Sequence, residues 1–256
     1  MFWSVLRSEY TKMTSLRSTR WTLVALVVAT VGFGALFAWG ASQSYAGSSA
    51  SDKLHFDPVA ISLSGIAFGQ LAIAVLAVLT ISSEYVNGAI RATFTAVPRR
   101  GIVLAAKGTL VTIAGFVFGL ISSFAAFYVA KPIFAHYGFH PSIGDPGVLR
   151  AIIGGGLYVA ASGLFGFGLG ALLRRTAPAI TLAVALLLVA PGLTNLLPGA
   201  WGQAVFRYFT SNAGQQIAFT VQQSNSLGPW SGFGVYCVWW IVFVAAAYVL
   251  VQRRDA

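Results

Sequence analysis

Apolar residues fill six long blocks of this chain, at about positions 21–40, 58–81, 108–130, 149–173, 177–197 and 232–251, and polar residues gather between them. A run of about 20 apolar residues can cross roughly 30 Å of hydrocarbon as a helix. Inside a bilayer the backbone must hydrogen-bond to itself, so each block predicts a helix. The expected fold is an all-α integral membrane protein, a single transmembrane domain over 1–256 with six transmembrane helices. Positions 1–20 carry a different pattern. Phe2, Leu6, Tyr10 and Met13 recur at helical spacing opposite Arg7, Thr11, Lys12 and Ser15, which predicts a basic amphipathic helix lying in the interface. Segment 198–231, with Trp201, Phe206, Tyr208, Phe209 and Trp230, predicts an aromatic-rich external piece, a short helix or re-entrant segment packed on the outer face.

Composition agrees with this pattern. Of 256 residues, 57% are hydrophobic and 9% charged, against about 25% charged in a soluble domain. Mean hydropathy is +0.78. The formal charge of +10 could suggest nucleic acid, but the basic residues flank apolar blocks, so no nucleic-acid partner is expected. Instead they give an orientation. Arg7, Lys12, Arg17, Arg20, Arg91, Arg99, Arg100, Lys107, Arg174, Arg175, Arg253 and Arg254 fall on one side of the predicted topology, and Lys53, Lys131, Arg150 and Arg207 on the other. The positive-inside rule then places both termini in the cytoplasm. The first block is too long for the 7–15-residue apolar core of a signal peptide, so it is read as a span.

The spans carry no ionisable residue at their centres. Lys107 and Arg150 are expected to snorkel from span ends, and His55, His136 and His140 fall in external loops. This pattern argues against proton coupling, which places ionisable groups in the membrane. It also argues against an intramembrane nucleophile, which needs a nearby base. Gly65/Gly69, Gly115/Gly119 and Gly166/Gly170 are small-xxx-small pairs that let helices approach. Pro191 is expected to kink or end the fifth span. Asn195 follows it, as a cap or the lining of a polar exit. The single Cys237 cannot form an intrachain disulfide, and no metal or cofactor site is expected. No Gly-x-x-x-x-Gly-Lys-Ser/Thr phosphate loop occurs, so ATP binding by that motif is not expected of this chain.

The connection after the second block is the most informative stretch. Across 84–100 it reads Glu84, Tyr85, Asn87-Gly88 as a helix stop, a short helical stretch 89–97, then Pro98-Arg99-Arg100, with Ala106-Lys107 beyond. The pattern Glu84-Tyr-x-x-Gly88-x-Ile90-Arg91, with Pro98-Arg99-Arg100 and Ala106-Lys107, resembles the permeases of type-2 ATP-binding-cassette (ABC) exporters. So does the order of parts along essentially the whole chain. That resemblance implies a dimer of permeases, with a second copy or paralogue, above two separate ABC ATPase subunits that carry ATP and Mg. It makes 87–97 the coupling helix. Glu84, Asn87, Gly88, Ile90, Arg91, Phe94, Pro98, Arg99 and Arg100 become candidates for coupling to the ATPase. Glu84 would pair with basic groups, and Arg91 and Arg99 would contact the ATPase or lipid phosphates. Substrate would pass between the permeases beside the second and fifth spans, where Phe68, Gln70 and Asn195 are pathway candidates.

The expected function is that of an exporter's permease subunit in a bacterial cell membrane. It would move a hydrophobic or amphiphilic drug, antibiotic, peptide or lipid by alternating access, without enzymatic activity of its own. The alternatives are a self-contained secondary transporter or channel, and an integral membrane lipid-modifying enzyme using His55, Asp57 or His136.

Overall fold

The computed structural model describes residues 2–49, 53, 56–97, 99–223 and 225–253, and these contain helices and no strand. An N-terminal helix α1 (Phe2–Ser15) meets α2 (Arg17–Ser44), the first long apolar helix, at an elbow. Leu16 there is extended (φ −82°, ψ 122°). Thr14 and Ser15 bond their hydroxyls back onto the carbonyls of Tyr10 and Lys12, and Arg20 donates to the Thr14 carbonyl at 3.0 Å. Such local side-chain bonds compete with helix continuation.

The second apolar segment, Pro58–Val86, comprises α3 (Pro58–Leu63) and α4 (Ile66–Val86). Asp57 caps α3 by accepting from the Ala60 N–H at 2.9 Å, with Pro58 in the first helical position. A short α5 (Ala89–Ala96) leads to α6 (Arg100–His136), followed by α7 (Val148–Leu173). The fifth segment, Thr176–Thr194, is α8 (Thr176–Val184), a π-helical stretch Ala185–Val189, and α9 (Ala190–Thr194). The polar segment beyond it folds as α10 (Gly199–Tyr208), α11 (Thr210–Gly214) and a 3₁₀ turn Gln215–Ala218. The last helix is α12 (Pro229–Arg253).

Six of these segments are long and apolar enough to cross a membrane, an architecture that fits a multi-pass membrane protein. Each overlaps an expected block. The largest difference in bounds is at α6, which starts eight residues before the expected 108 and is 37 residues long, about 55 Å at 1.5 Å per residue.

α7 is the axis of the bundle. Its best apolar window is 78% buried, against 22%, 22% and 17% for the first, fifth and sixth segments. Glycine makes that centrality possible. A Cβ on Gly170 would lie 3.0 Å from Val78 Cα, and one on Gly166 would overlap the Ala74 backbone, so α7 and α4 pack backbone to backbone. Gly115 and Gly119 do the same for α6 against Ala160 and Val159 of α7. Gly65 and Gly69 do it for the second segment against Thr30 of α2.

A buried polar network stitches the middle of the bundle to α11. Pro191 has no N–H to give the carbonyl of Leu187, four residues earlier. That carbonyl instead accepts from Ser211 Oγ at 2.7 Å and Gln70 Nε2 at 3.2 Å, while Thr210 Oγ1 donates to the Leu186 carbonyl at 2.7 Å. The π-helical stretch and the inward plunge of α11 are thus one feature. Rather than ending the helix at 191, the proline leaves a free acceptor that α11 fills. The Tyr158 hydroxyl donates to Gln70 Oε1, and Ser162 and Tyr236 share a bond of 2.8 Å.

Candidate functional site

The two ends of the bundle differ in chemistry. At one end the rings of Tyr45, Phe56 and Phe139 cluster in tilted and edge-to-face contacts with centroids 4.7–4.9 Å apart. Near the same end the carboxylate of Asp57 accepts from Thr220 N (2.6 Å), Thr220 Oγ1 (2.7 Å) and Val221 N (2.8 Å) as well as Ala60 N. Asp57 is therefore a buried latch holding the loop before α12. These four bonds engage both oxygens of Asp57, one of the three residues named for the lipid-enzyme alternative. His136 is exposed at the end of α6, and His55 lies outside the described residues.

The other end gathers α1, the end of α4, α5, the start of α6, and the end of α12. Its centre is a charged knot. Lys107 Nζ lies 2.5 Å from Glu9 Oε2 and 2.8 Å from Glu84 Oε1, and Lys12 Nζ lies 2.7 Å from Glu9 Oε1 and 3.1 Å from Glu84 Oε1. Two cations and two carboxylates close a neutral ring in which each lysine bridges both acids. The Lys107 side chain is 2% exposed. The expectation that Lys107 snorkels to water is therefore corrected. The extra two turns at the start of α6 point it inward at carboxylates from two other helices.

Glu9 was not among the candidate residues. It sits on the apolar stripe of α1, where Phe2, Val5, Leu6 and Met13 turn inward. Tyr10, assigned to that stripe from sequence, is exposed instead. Burial pushes the Glu9 carboxyl up, but the Lys107 charge and the hydrogen bonds from Lys107 and Lys12 outweigh it, leaving its pKa below the ordinary value. Burial likewise pulls the Lys12 ammonium down, and its bonds to Glu9 and Glu84 more than offset this, leaving it raised. Both shifts favour the charged pair. A lone Glu in an apolar helix face is the one sequence signal that could have revealed this site.

α5 begins a few residues after Glu84 of this knot. α4 ends at Val86, and Gly88 takes φ +70°, the left-handed turn that starts α5. Asn87 stays right-handed (φ −86°), so the stop depends on Gly88 alone. Ile90 is 3% exposed and packs in one cluster with Val5, Ile81, Val103 and Leu104. Arg91 and Thr95 face outward. A cleft of about 410 Å³ separates α5 from α1, lined by Ser4, Val5, Glu9, Lys12, Thr93 and Ala96 among others.

Arg99 is exposed just before α6. Arg100, the first residue of α6, donates to the Val251 carbonyl at 3.0 Å. The Arg174 guanidinium lies 5.0 Å above the Tyr85 ring and Nη2 reaches the Leu250 carbonyl at 3.4 Å, tying the ends of α7 and α12 to α4. Of the coupling candidates, Glu84, Asn87, Gly88, Ile90, Arg91, Arg99 and Arg100 thus share one end of the bundle. Phe94 falls within α5, and Pro98 lies outside the described residues.

The pathway candidates do not converge. Phe68 stacks on Phe33 at 3.9 Å on the α2 side, and Asn195 is exposed at the end of the fifth segment. Gln70, another pathway candidate, is fully buried within the chain, its amide held by Leu187, Tyr158 and Ser211. The missing Pro191 N–H draws it there. Among the described residues no three His, Cys, Asp or Glu side chains gather where they could hold a metal ion.

Comparison with known proteins finds no matching family model and no matching curated protein.

Proposed function

We propose that this chain is the permease subunit of a type-2 ABC exporter, with both termini cytoplasmic and α5 as the element that meets a separate ATPase subunit. The observation that carries this reading is the mounting of α5. It is a short helix set off by Gly88, anchored inward by Ile90, with Arg91 outward, and seated beside an ion knot that joins α1, α4 and α6. A push on such an element is transmitted to several spans, because buried ion pairs and packed apolar clusters resist local bending. In this reading the ATPase dimer, on binding ATP and Mg, pushes α5 of each of two permeases. The linked spans shift, and a hydrophobic or amphiphilic substrate leaves between the two subunits.

The test is a mild-detergent purification of the tagged chain from its native host, assayed for co-purifying ATPase. A stoichiometric ATPase subunit that is lost when residues 87–97 are replaced supports the proposal. A preparation of intact permease with no ATPase overturns it.

A further inference from the structure

The face between α6 and α12 carries an apolar groove that the exporter reading leaves unused. Gly101, Leu104, Gly108, Phe167, Trp240 and Val244 are among its walls, and it holds about 670 Å³, within the range of a site for one ligand. It follows α6 from Gly101 to Ile113. Twelve residues of helix rise about 18 Å, slightly more than half of a hydrocarbon core roughly 30 Å thick. The groove therefore has the length of one lipid leaflet.

At its Gly101 end the groove runs into a second cavity of about 620 Å³ that shares Gly101, Ala105 and Tyr248 with it. This second cavity has a different lining, because Arg99, Arg100 and Gln252 enter it. The Arg100 bond to the Val251 carbonyl braces α6 against α12 at the junction. Gly101 allows the shared wall to form, since a Cβ there would come 2.8 Å from the Tyr248 ring. The result is a leaflet-length apolar slot with Arg99 and Arg100 lining the cavity at one end, Arg100 through a side chain that also holds the Val251 carbonyl.

We propose that this slot is a binding site for an anionic phospholipid. One acyl chain lies along α6 between Gly101 and Ile113, and the phosphate meets Arg99 and Arg100. Guanidinium groups favour phosphate through paired donors. A zwitterionic lipid offers the same chain but adds a cation beside the arginines, so charge at the mouth selects the headgroup. The proposal needs only that the chain sits in a bilayer, and it is independent of ATP coupling.

Trp240 in the groove wall supplies a reporter. The full chain is reconstituted in phosphatidylcholine vesicles containing either phosphatidylglycerol or phosphatidylcholine with brominated acyl chains. The quenching of Trp240 is obtained by difference from Trp240→Phe. Brominated phosphatidylglycerol is expected to quench at a several-fold lower mole fraction than brominated phosphatidylcholine. That preference should fall about fivefold for each arginine removed in Arg99→Gln and Arg100→Gln. Ala105→Phe, at an exposed groove position, should weaken quenching by both lipids. If Arg100→Gln fails to fold, Arg99→Gln alone carries the test. Equal quenching by the two lipids, or a preference unchanged in Arg99→Gln, overturns the site.

Discussion

Lys107→Met is the sharpest perturbation of the charged knot. The native ring balances Lys12 and Lys107 against Glu9 and Glu84, with contacts of 2.5–3.1 Å. Methionine fills nearly the lysine volume but leaves two carboxylates sharing only Lys12, whose side chain is 46% exposed. Removing one partner of a buried ion pair costs about 3–5 kcal/mol, because the remaining charge is stranded. For a chain of this size each kcal/mol moves the melting temperature by about 2–4 °C, so a loss of about 6–20 °C is expected in detergent.

The loss should begin at α1, with faster tryptic cleavage at Arg7 and Lys12 than in the parent. Adding Glu9→Gln removes a stranded charge and should recover part of the loss, since contacting residues couple by about 0.5–3 kcal/mol. A lysine that merely snorkelled would contribute about 0–1 kcal/mol. A melting shift under 4 °C with unchanged tryptic cleavage would refute the buried-knot argument.

Three further outcomes follow from the same geometry. The folded pKa of Glu9 lies below its ordinary 4.5, so its stabilisation of docked α1 is complete above that pH. It should fade as pH falls through the native pKa, read as tryptophan-fluorescence melts and hydrogen exchange in α1. Gly88→Pro imposes φ near −65° where the chain needs +70°. On the proposed permease reading, it is expected to abolish substrate-stimulated activity of a co-purified ATPase while leaving membrane insertion intact, and full stimulation would count against the proposed coupling role of α5. Asp57→Asn replaces one acceptor oxygen with a donor facing N–H and O–H groups of Ala60, Thr220 and Val221. A cost of about 2–4 kcal/mol is expected from unsatisfied buried groups, seen as a lower melting temperature and faster proteolysis between α11 and α12.

Six apolar helices were legible in the sequence because a bilayer leaves the backbone no other way to satisfy itself, so length and hydropathy suffice. The short helix α5 was legible for a similar local reason, since Gly88 punctuates it within two residues. The three glycine pairs were also readable as contact surfaces, though not which helices they would admit. Other features depended on partners far apart in the chain. Glu9 and Lys107 are 98 residues apart and Gln70 and Tyr158 are 88 apart. Whether a lysine near a span end reaches water or a carboxylate is decided by the helix that packs beside it. Whether a proline ends a helix or leaves a carbonyl for a neighbour to fill is decided in the same way. The chain alone specified where its helices lie, a matter of local hydrogen bonding and hydropathy. Only tertiary packing decided which polar groups are buried together, because the cost of burying a charge depends on what faces it.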